Sequence, residues 1–295
     1  MLPGVVVKAY NGYYYVRSDD EKTMVSCSLR GRFKKERFSL LVGDEVRYSL
    51  LGSEKGVIEE ILPRRTMLSR PMVANVDQVI LNFAAANPDI NPVLVDRFLI
   101  IAELSELEII LCINKVDLAD QAALAVLIER YSSIGYPVLS LSAKNGIGIE
   151  DLRARLQDRI TVFAGPSGTG KSTLLNAIEP GLSLATGQVS EKIGRGRHTT
   201  RFAELMPLAQ GGYVVDTPGF SLTEFVDIDE RGLMYCFRDL VPWIPQCRFN
   251  SCIHYKEPQC AVKEAVREGK IHPERYESYL AVLTELKENK KGFRL

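Results

Sequence analysis

Thr161-Val162-Phe163-Ala164-Gly165-Pro166-Ser167-Gly168-Thr169-Gly170-Lys171-Ser172-Thr173 is an apolar run that breaks into a glycine-rich turn and then enters residues with helical spacing. Thr161 to Ala164 predicts a short buried strand, and Ser172 to Ile178 the opening turns of a helix. Between strand and helix, Gly-x-x-x-x-Gly-Lys-Ser lets backbone N–H groups converge on phosphate oxygens at the positive end of the helix dipole. In that setting Gly165 through Thr173 surround the phosphates. Lys171 reaches the β- and γ-phosphates, and the Ser172 hydroxyl ligates Mg²⁺. A flexible Gly/Ser turn is the bland alternative, and the strand–loop–helix context argues against it.

Downstream, Gly211-Gly-Tyr-Val-Val-Asp216-Thr-Pro-Gly219 reads as a strand ending in Asp and turning at Pro-Gly. Asp216 can hold Mg²⁺ through water, and the Gly219 amide can meet the γ-phosphate. Between these segments, Gly194-Arg-Gly-Arg-His198-Thr199-Thr200-Arg201 is glycine-rich and basic. It suits a switch whose threonine adds a metal ligand when triphosphate is bound. The pattern leaves Thr199 and Thr200 open, and Thr200 is carried as the Mg²⁺ ligand.

Upstream stands Asn114-Lys115-Val116-Asp117. The Asp117 carboxylate can accept from guanine N1–H and its exocyclic amine, whereas adenine would leave that charge unpaired. Asn114 can donate to the guanine edge, and the Lys115 stem can pack along the ring. Ser142-Ala143-Lys144 follows another strand-like run and offers a backbone amide to the O6 acceptor. In an ordinary small GTPase the phosphate loop precedes the base-reading motif. Here the order is inverted, so the order of the domain's elements has been permuted.

The chain has 295 residues, room for two or three domains. Its 37 basic and 37 acidic residues cancel, so affinity for nucleic acid must come from local patches. No apolar run approaches the roughly 20 residues of a membrane span, and the N-terminus lacks a secretory pattern. A cytoplasmic protein without disulfides is expected. Nothing suggests coiled-coil assembly, and a monomer is expected.

Residues 1–66 carry five strand-like runs separated by turn signals such as Asn11-Gly12 and Val42-Gly-Asp44. That density predicts a small closed barrel of the OB type. Arg30 to Phe38 combines basic and aromatic residues as RNA-binding barrels do, although a solvated hairpin fits that stretch equally. Arg64-Arg65 and Arg70 add positive charge near the junction. Residues 67–224 show an α/β rhythm in which every motif follows a strand end, where open parallel sheets bind ligands. In residues 225–295, Cys247, Cys252, His254 and Cys260 fall within fourteen residues. Three thiolates and one imidazole make a closed tetrahedral zinc site, structural because no coordination position stays open. Cys27, Cys112 and Cys236 read as core residues. Tyr276, Tyr279, Leu280, Leu283 and Leu286 mark one face of a terminal helix.

Taken together, these motifs resemble the RsgA family of circularly permuted GTPases over essentially the whole length. Membership implies an N-terminal OB-fold barrel, a central permuted α/β P-loop GTPase domain and a C-terminal, mostly helical zinc-binding domain. It implies GTP and GDP as ligands, and the small ribosomal subunit and its rRNA as partner. It further implies hydrolysis stimulated by the subunit late in its maturation, with no membrane involved. Where many GTPases place a water-orienting Gln after the Asp-x-x-Gly turn, this chain has Phe220. The resemblance and the basic setting nominate His198 as the group that completes the site. An RNA-binding assembly factor that holds nucleotide only structurally is the competing reading, which a turnover assay separates.

Overall fold

The computed structural model describes residues 1–18, 23–31, 33, 40–69, 71–182, 203–216 and 228–292. Strands β1 (Leu2–Tyr10), β2 (Tyr13–Ser18), β3 (Met24–Leu29), β4 (Glu45–Leu50) and β5 (Lys55–Ile61) close into a barrel in the order β1-β2-β3-β5-β4. Only β3 and β5 pair in parallel; the other ladders are antiparallel. The two-residue alternation of the strands sends Val6, Val16, Val25, Cys27, Val46, Tyr48 and Ile58 inward, where they form the barrel core. The expected five-stranded barrel is borne out.

Arg64 and Arg65, read in the sequence as added surface charge, have other work. Asp44 is fully buried and accepts from Arg64 Nε at 2.6 Å, Arg64 Nη2 at 2.8 Å and the Leu41 amide at 2.7 Å. Arg65 pairs with Asp77 at 2.7 Å. A buried carboxylate needs such partners, and a guanidinium fork supplies two donors at once. These arginines therefore brace the barrel's exit. Arg70 and most of Arg30 to Phe38 lie outside the described residues. A short hairpin of β6 (Met67–Ser69) and β7 (Met72–Ala74), not anticipated from the sequence, follows the barrel.

The remaining elements are β8 (Gln78–Ala84), α1 (Pro92–Glu103), β9 (Glu108–Asn114), α2 (Gln121–Ser132), β10 (Val138–Ser140), α3 (Ile149–Leu156), β11 (Ile160–Ala164), α4 (Lys171–Ile178), β12 (Glu204–Pro207), β13 (Tyr213–Asp216), α5 (Gly232–Tyr235), α6 (Ala261–Arg267) and α7 (Pro273–Gly292). They fall into two compact units. The first takes the described parts of Met1–Ile80, Gly148–Ala164 and Lys171–Phe220; the second takes Leu81–Ile147, Gly165–Gly170 and Ser221–Leu295. β8 runs through both.

In the first unit the strand order is β8-β11-β13-β12, with β11 parallel and β12 antiparallel to β13. Arg153 of α3 caps the end of α4, donating to the carbonyls of Ile178 at 2.9 Å and Ala177 at 2.7 Å. In the second unit the order is β10-β9-β8, and β8 is buried along its whole length, as a strand covered on both faces must be. Asn91 caps α1 by accepting from the Val93 amide at 3.0 Å, with Pro92 as the first helical residue. Asp120 caps α2 through the Ala123 amide at 2.9 Å.

The second unit also holds the C-terminal helices. Phe237, Leu240, Val262, Tyr279, Val282 and Leu283 make an apolar core that includes Ile100 of α1. Beside it Arg275 is 1 % exposed, clamped between Asp96 at 2.5 Å and Asp239 at 2.8 Å, with its guanidinium 4.6 Å over the Phe237 ring. Tyr131 donates to Asp96 at 3.0 Å. This charged knot ties α7 to α1. Among the described residues no helix is long and apolar enough to cross a membrane.

Candidate nucleotide site and metal cluster

β9 ends on Asn114, which is 2 % exposed. Its carbonyl oxygen accepts from the Lys115 amide at 2.8 Å and from the Ala143 amide at 3.2 Å. Its amide nitrogen donates to the Thr169 carbonyl at 3.0 Å. Lys115 adopts a left-handed backbone (φ 60°) that turns the chain into the 3₁₀ turn Val116–Leu118. The Lys115 ammonium donates to the Gly168 carbonyl at 2.8 Å and to the Asn87 carbonyl. Asp117 is exposed, and its carboxylate accepts from the Ser142 hydroxyl at 2.5 Å.

Residues 50 or more positions apart are thus joined in the second unit. Thr169 is gripped from a second strand as well. The Asn82 amide nitrogen of β8 donates to the Thr169 hydroxyl at 3.0 Å, and that hydroxyl donates to the Pro166 carbonyl at 3.1 Å. Asn82 was not picked out from the sequence; a buried polar residue inside an apolar strand was the available signal. Two glycines make the close approach possible. At Gly165 (φ +142°) a Cβ would stand 2.1 Å from the Asn82 carbonyl oxygen, and at Gly170 (φ +85°) 2.8 Å from the Asn114 amide nitrogen.

In the first unit, Lys171 opens α4, and burial pulls its ammonium pKa down. Ser172 and Thr173 are exposed in the same helical turn. Asp216 ends β13 one residue beyond the Val162–Val215 pair, at the end of the parallel ladder from which β11 enters the glycine loop. Donor-bearing Ser172 and acidic Asp216 are oxygen ligands of the kind Mg²⁺ takes. His198, Thr199, Thr200, Gly219 and Phe220 lie outside the described residues. Ser167 and Lys144 are exposed at their loop tips.

Cys247, Cys252, His254 and Cys260 bring their ligand atoms within 4.8 Å of one another. His254 Nδ1 stands 3.5 Å from the Cys247 sulfur and 3.4 Å from those of Cys252 and Cys260, and Cys247 and Cys260 are 3.9 Å apart. A tetrahedron with metal–sulfur bonds of about 2.3 Å and a metal–nitrogen bond of about 2.0 Å has edges of roughly 3.5–3.8 Å. The cluster fits that shape. Burial lowers the His254 pKa, which keeps the imidazole neutral as a ligand must be. Burial first of all pushes the Cys252 thiol up to about 12, so a cation is needed to ionise it. The loop is braced by α7: Tyr276 donates to the His254 carbonyl at 2.6 Å and Tyr279 to the Ile253 carbonyl at 2.7 Å. Glu257 accepts from the Tyr255 amide at 2.8 Å and the Ile253 amide at 3.2 Å. Cys27, Cys112 and Cys236 are buried in the core, apart from this cluster.

Comparison with known proteins names the lineage. The RsgA GTPase family model matches residues 61–226, and the RsgA N-terminal domain model matches residues 3–58. The chain belongs to the RsgA GTPase family. It is similar to the small ribosomal subunit biogenesis GTPase RsgA of Caldanaerobacter subterraneus, with 48% identity over 290 residues covering 98% of this chain and 97% of that protein. Its identity to the Bacillus subtilis protein of the same name is 43%, over 99% of this chain and all of that protein. Among solved structures, YjeQ from Thermotoga maritima superposes with a TM-score of 0.85 at 42% identity, covering 97% of this chain and 98% of that one. YloQ, described as a circularly permuted GTPase, does so at 0.83 with 39% identity, covering 98% and 96%. The resemblance drawn from the motifs is therefore borne out, and so is the expected enzyme class. For an RsgA GTPase the inverted motif order is an ordinary consequence of permutation.

Proposed function

We infer that this GTPase binds the small ribosomal subunit, assists its late maturation, and hydrolyses GTP to GDP and phosphate faster when the subunit is bound. The observation that carries the reading is the hydrogen bond from Asn114 to the Thr169 carbonyl, joined by that from Lys115 to Gly168. These contacts hold a guanine-reading turn against a phosphate loop, which is what a single guanine nucleotide spanning both would need. The relatives' shared name, small ribosomal subunit biogenesis GTPase, supplies the partner.

In this reading Asp117 accepts from the guanine edge, and Asn114 fixes the turn that presents it. Lys115 lies along the base, while Val116, Ser142, Ala143 and Lys144 frame it. Residues Gly165 through Thr173 wrap the phosphates. Lys171 and the Gly219 amide stabilise charge on the γ-phosphate, and His198 orients the attacking water. Ser172, Thr200 and Asp216 would hold Mg²⁺, which would neutralise negative charge on the nucleotide's phosphates. Zn²⁺ is the metal that best suits Cys247, Cys252, His254 and Cys260. The working division is a barrel for rRNA over 1–66, the permuted GTPase domain over 67–224 and the zinc-binding domain over 225–295. The protein acts as a cytoplasmic monomer. Triphosphate favours binding to the particle, and hydrolysis promotes release through the segment after Asp216, which leads into the C-terminal region.

Phosphate release measured with GTP or ATP, with purified small subunits added or withheld, tests the whole. GTP-specific turnover that rises several-fold with subunits is expected. Equal rates with and without subunits, or equal use of ATP, overturn it. His198→Ala with normal subunit-stimulated turnover and normal binding removes His198 from the mechanism alone.

A further inference from the structure

Beside the base-reading turn, the second unit carries an open groove of about 610 Å³ between residues 85–92 and helix α2. Its walls include Ile90, Pro92, Leu118 and Val126. Leu118, in the 3₁₀ turn before α2, is 54% exposed, and Val126 of α2 is 60% exposed although the same helix buries Leu124 and Leu127. The rim is acidic: Asp89, Asp120 and Glu274 line it. The one basic residue of the groove, Arg130, is itself paired with Glu274 at 2.6 Å and lies beside His272. Its side chain is 9% exposed, and Arg130 Nε has no acceptor among the described residues.

This surface has the wrong sign for nucleic acid. Asp89 and Asp120 repel phosphate, Glu274 being paired with Arg130, and the apolar walls offer no exposed ring on which a base could stack. A protein segment fits it. An apolar side chain would fill the space beside Leu118 and Val126, and flanking Lys or Arg residues would meet the acidic rim. A ribonucleoprotein particle offers both kinds of surface, phosphate and the basic protein chains that neutralise it. Resting on the proposed function, we propose that the groove between residues 85–92 and α2 receives a Lys/Arg-rich protein segment of the small subunit, anchored by one apolar side chain. The GTPase then grips protein as well as RNA on its particle, and the contact sits directly behind the turn that presents Asp117.

The test uses the full-length chain with Val126→p-benzoylphenylalanine, loaded with a non-hydrolysable GTP analogue and irradiated with purified small subunits. A cross-link that survives ribonuclease and maps by mass spectrometry to a Lys/Arg-rich protein segment is expected. A cross-link that ribonuclease removes, one only to a second copy of the chain, or none although the chain sediments with subunits, overturns this inference and leaves the proposed function standing. Failure to sediment with subunits overturns both. Two further variants use the unmodified protein and read affinity for subunits, with nucleotide turnover in their absence as the control for folding. Val126→Asp should weaken subunit binding about tenfold. Asp89→Lys should weaken it in the same direction; tighter binding would mean that the groove faces rRNA and would overturn the proposal.

Discussion

Replacing Arg275 with Met should cost this protein more stability than any surface substitution. Among the described residues Arg275 is the single cation that pairs with both Asp96 and Asp239, and all three side chains are at most 3% exposed. Three hydrogen bonds disappear with it, at 2.5, 2.8 and 3.2 Å, and two carboxylates stay behind without water. Removing one member of a buried ion pair typically costs about 3–5 kcal/mol, and stranding two charges places this case at the upper end. For a body of this size that corresponds to a fall in Tm of roughly 10–20 °C. The loss should also depend on pH. Burial pushes the Asp96 carboxyl up from its ordinary value, against the opposing pull of Arg275, so the variant's carboxyl rises further. A carboxyl whose folded value lies above its unfolded value takes up a proton on folding. The variant's deficit is therefore full at neutral pH and shrinks as the pH falls through the raised Asp96 range. Thermal unfolding of both proteins by calorimetry at pH 7.5 and 5.5 reads this directly, since effects on the metal site are common to the pair. Adding Asp96→Asn should recover part of the loss at pH 7.5. A deficit under about 2 kcal/mol, or one of equal size at the two pH values, would refute the account of a charged knot.

Three other outcomes follow from the same geometry. Gly170→Ala forces a Cβ into a left-handed backbone 2.8 Å from the Asn114 amide, so GTP and GDP affinity should drop about 5- to 100-fold while circular dichroism stays unchanged. Titration with a fluorescent guanine nucleotide measures it. Asp117→Asn turns an acceptor into a mixed donor and acceptor where the proposed function puts the guanine edge; at least a hundredfold loss of GTP affinity with no gain for ATP is expected in the same assay. Cys252→Ser should reduce bound metal from about one per chain to near zero by elemental analysis. Because such sites bind with about 10–16 kcal/mol, it should also expose the amides of α6 and α7 to hydrogen exchange; retained protection would mean that the cluster does not hold those helices.

Local chemistry made much of this protein readable before any coordinates. The phosphate loop, the Asn-Lys-Val-Asp turn and the Cys/Cys/His/Cys loop each depend on residues close together in the chain. Residue type and spacing therefore state the need for a phosphate cradle, a base-edge acceptor or a metal tetrahedron. Five short strand-like runs within residues 1–66, separated by turn signals, likewise announced a barrel, because so many short strands must close on one another to bury a face. What the sequence could not carry were pairings between distant residues that look ordinary where they stand. Arg64 resembles a surface cation until Asp44 is found buried against it, and Asn82 resembles a stray polar residue until Thr169 closes on it. Arg275 sits in a helix of unremarkable polarity, and only packing against α1 shows that it is enclosed by Asp96 and Asp239. The groove between Pro92 and Val126 exists only because separate segments leave a gap there. Short-range chemistry is written in neighbouring residues, whereas burial and charge compensation are properties of the folded volume, and tertiary structure alone assigns them.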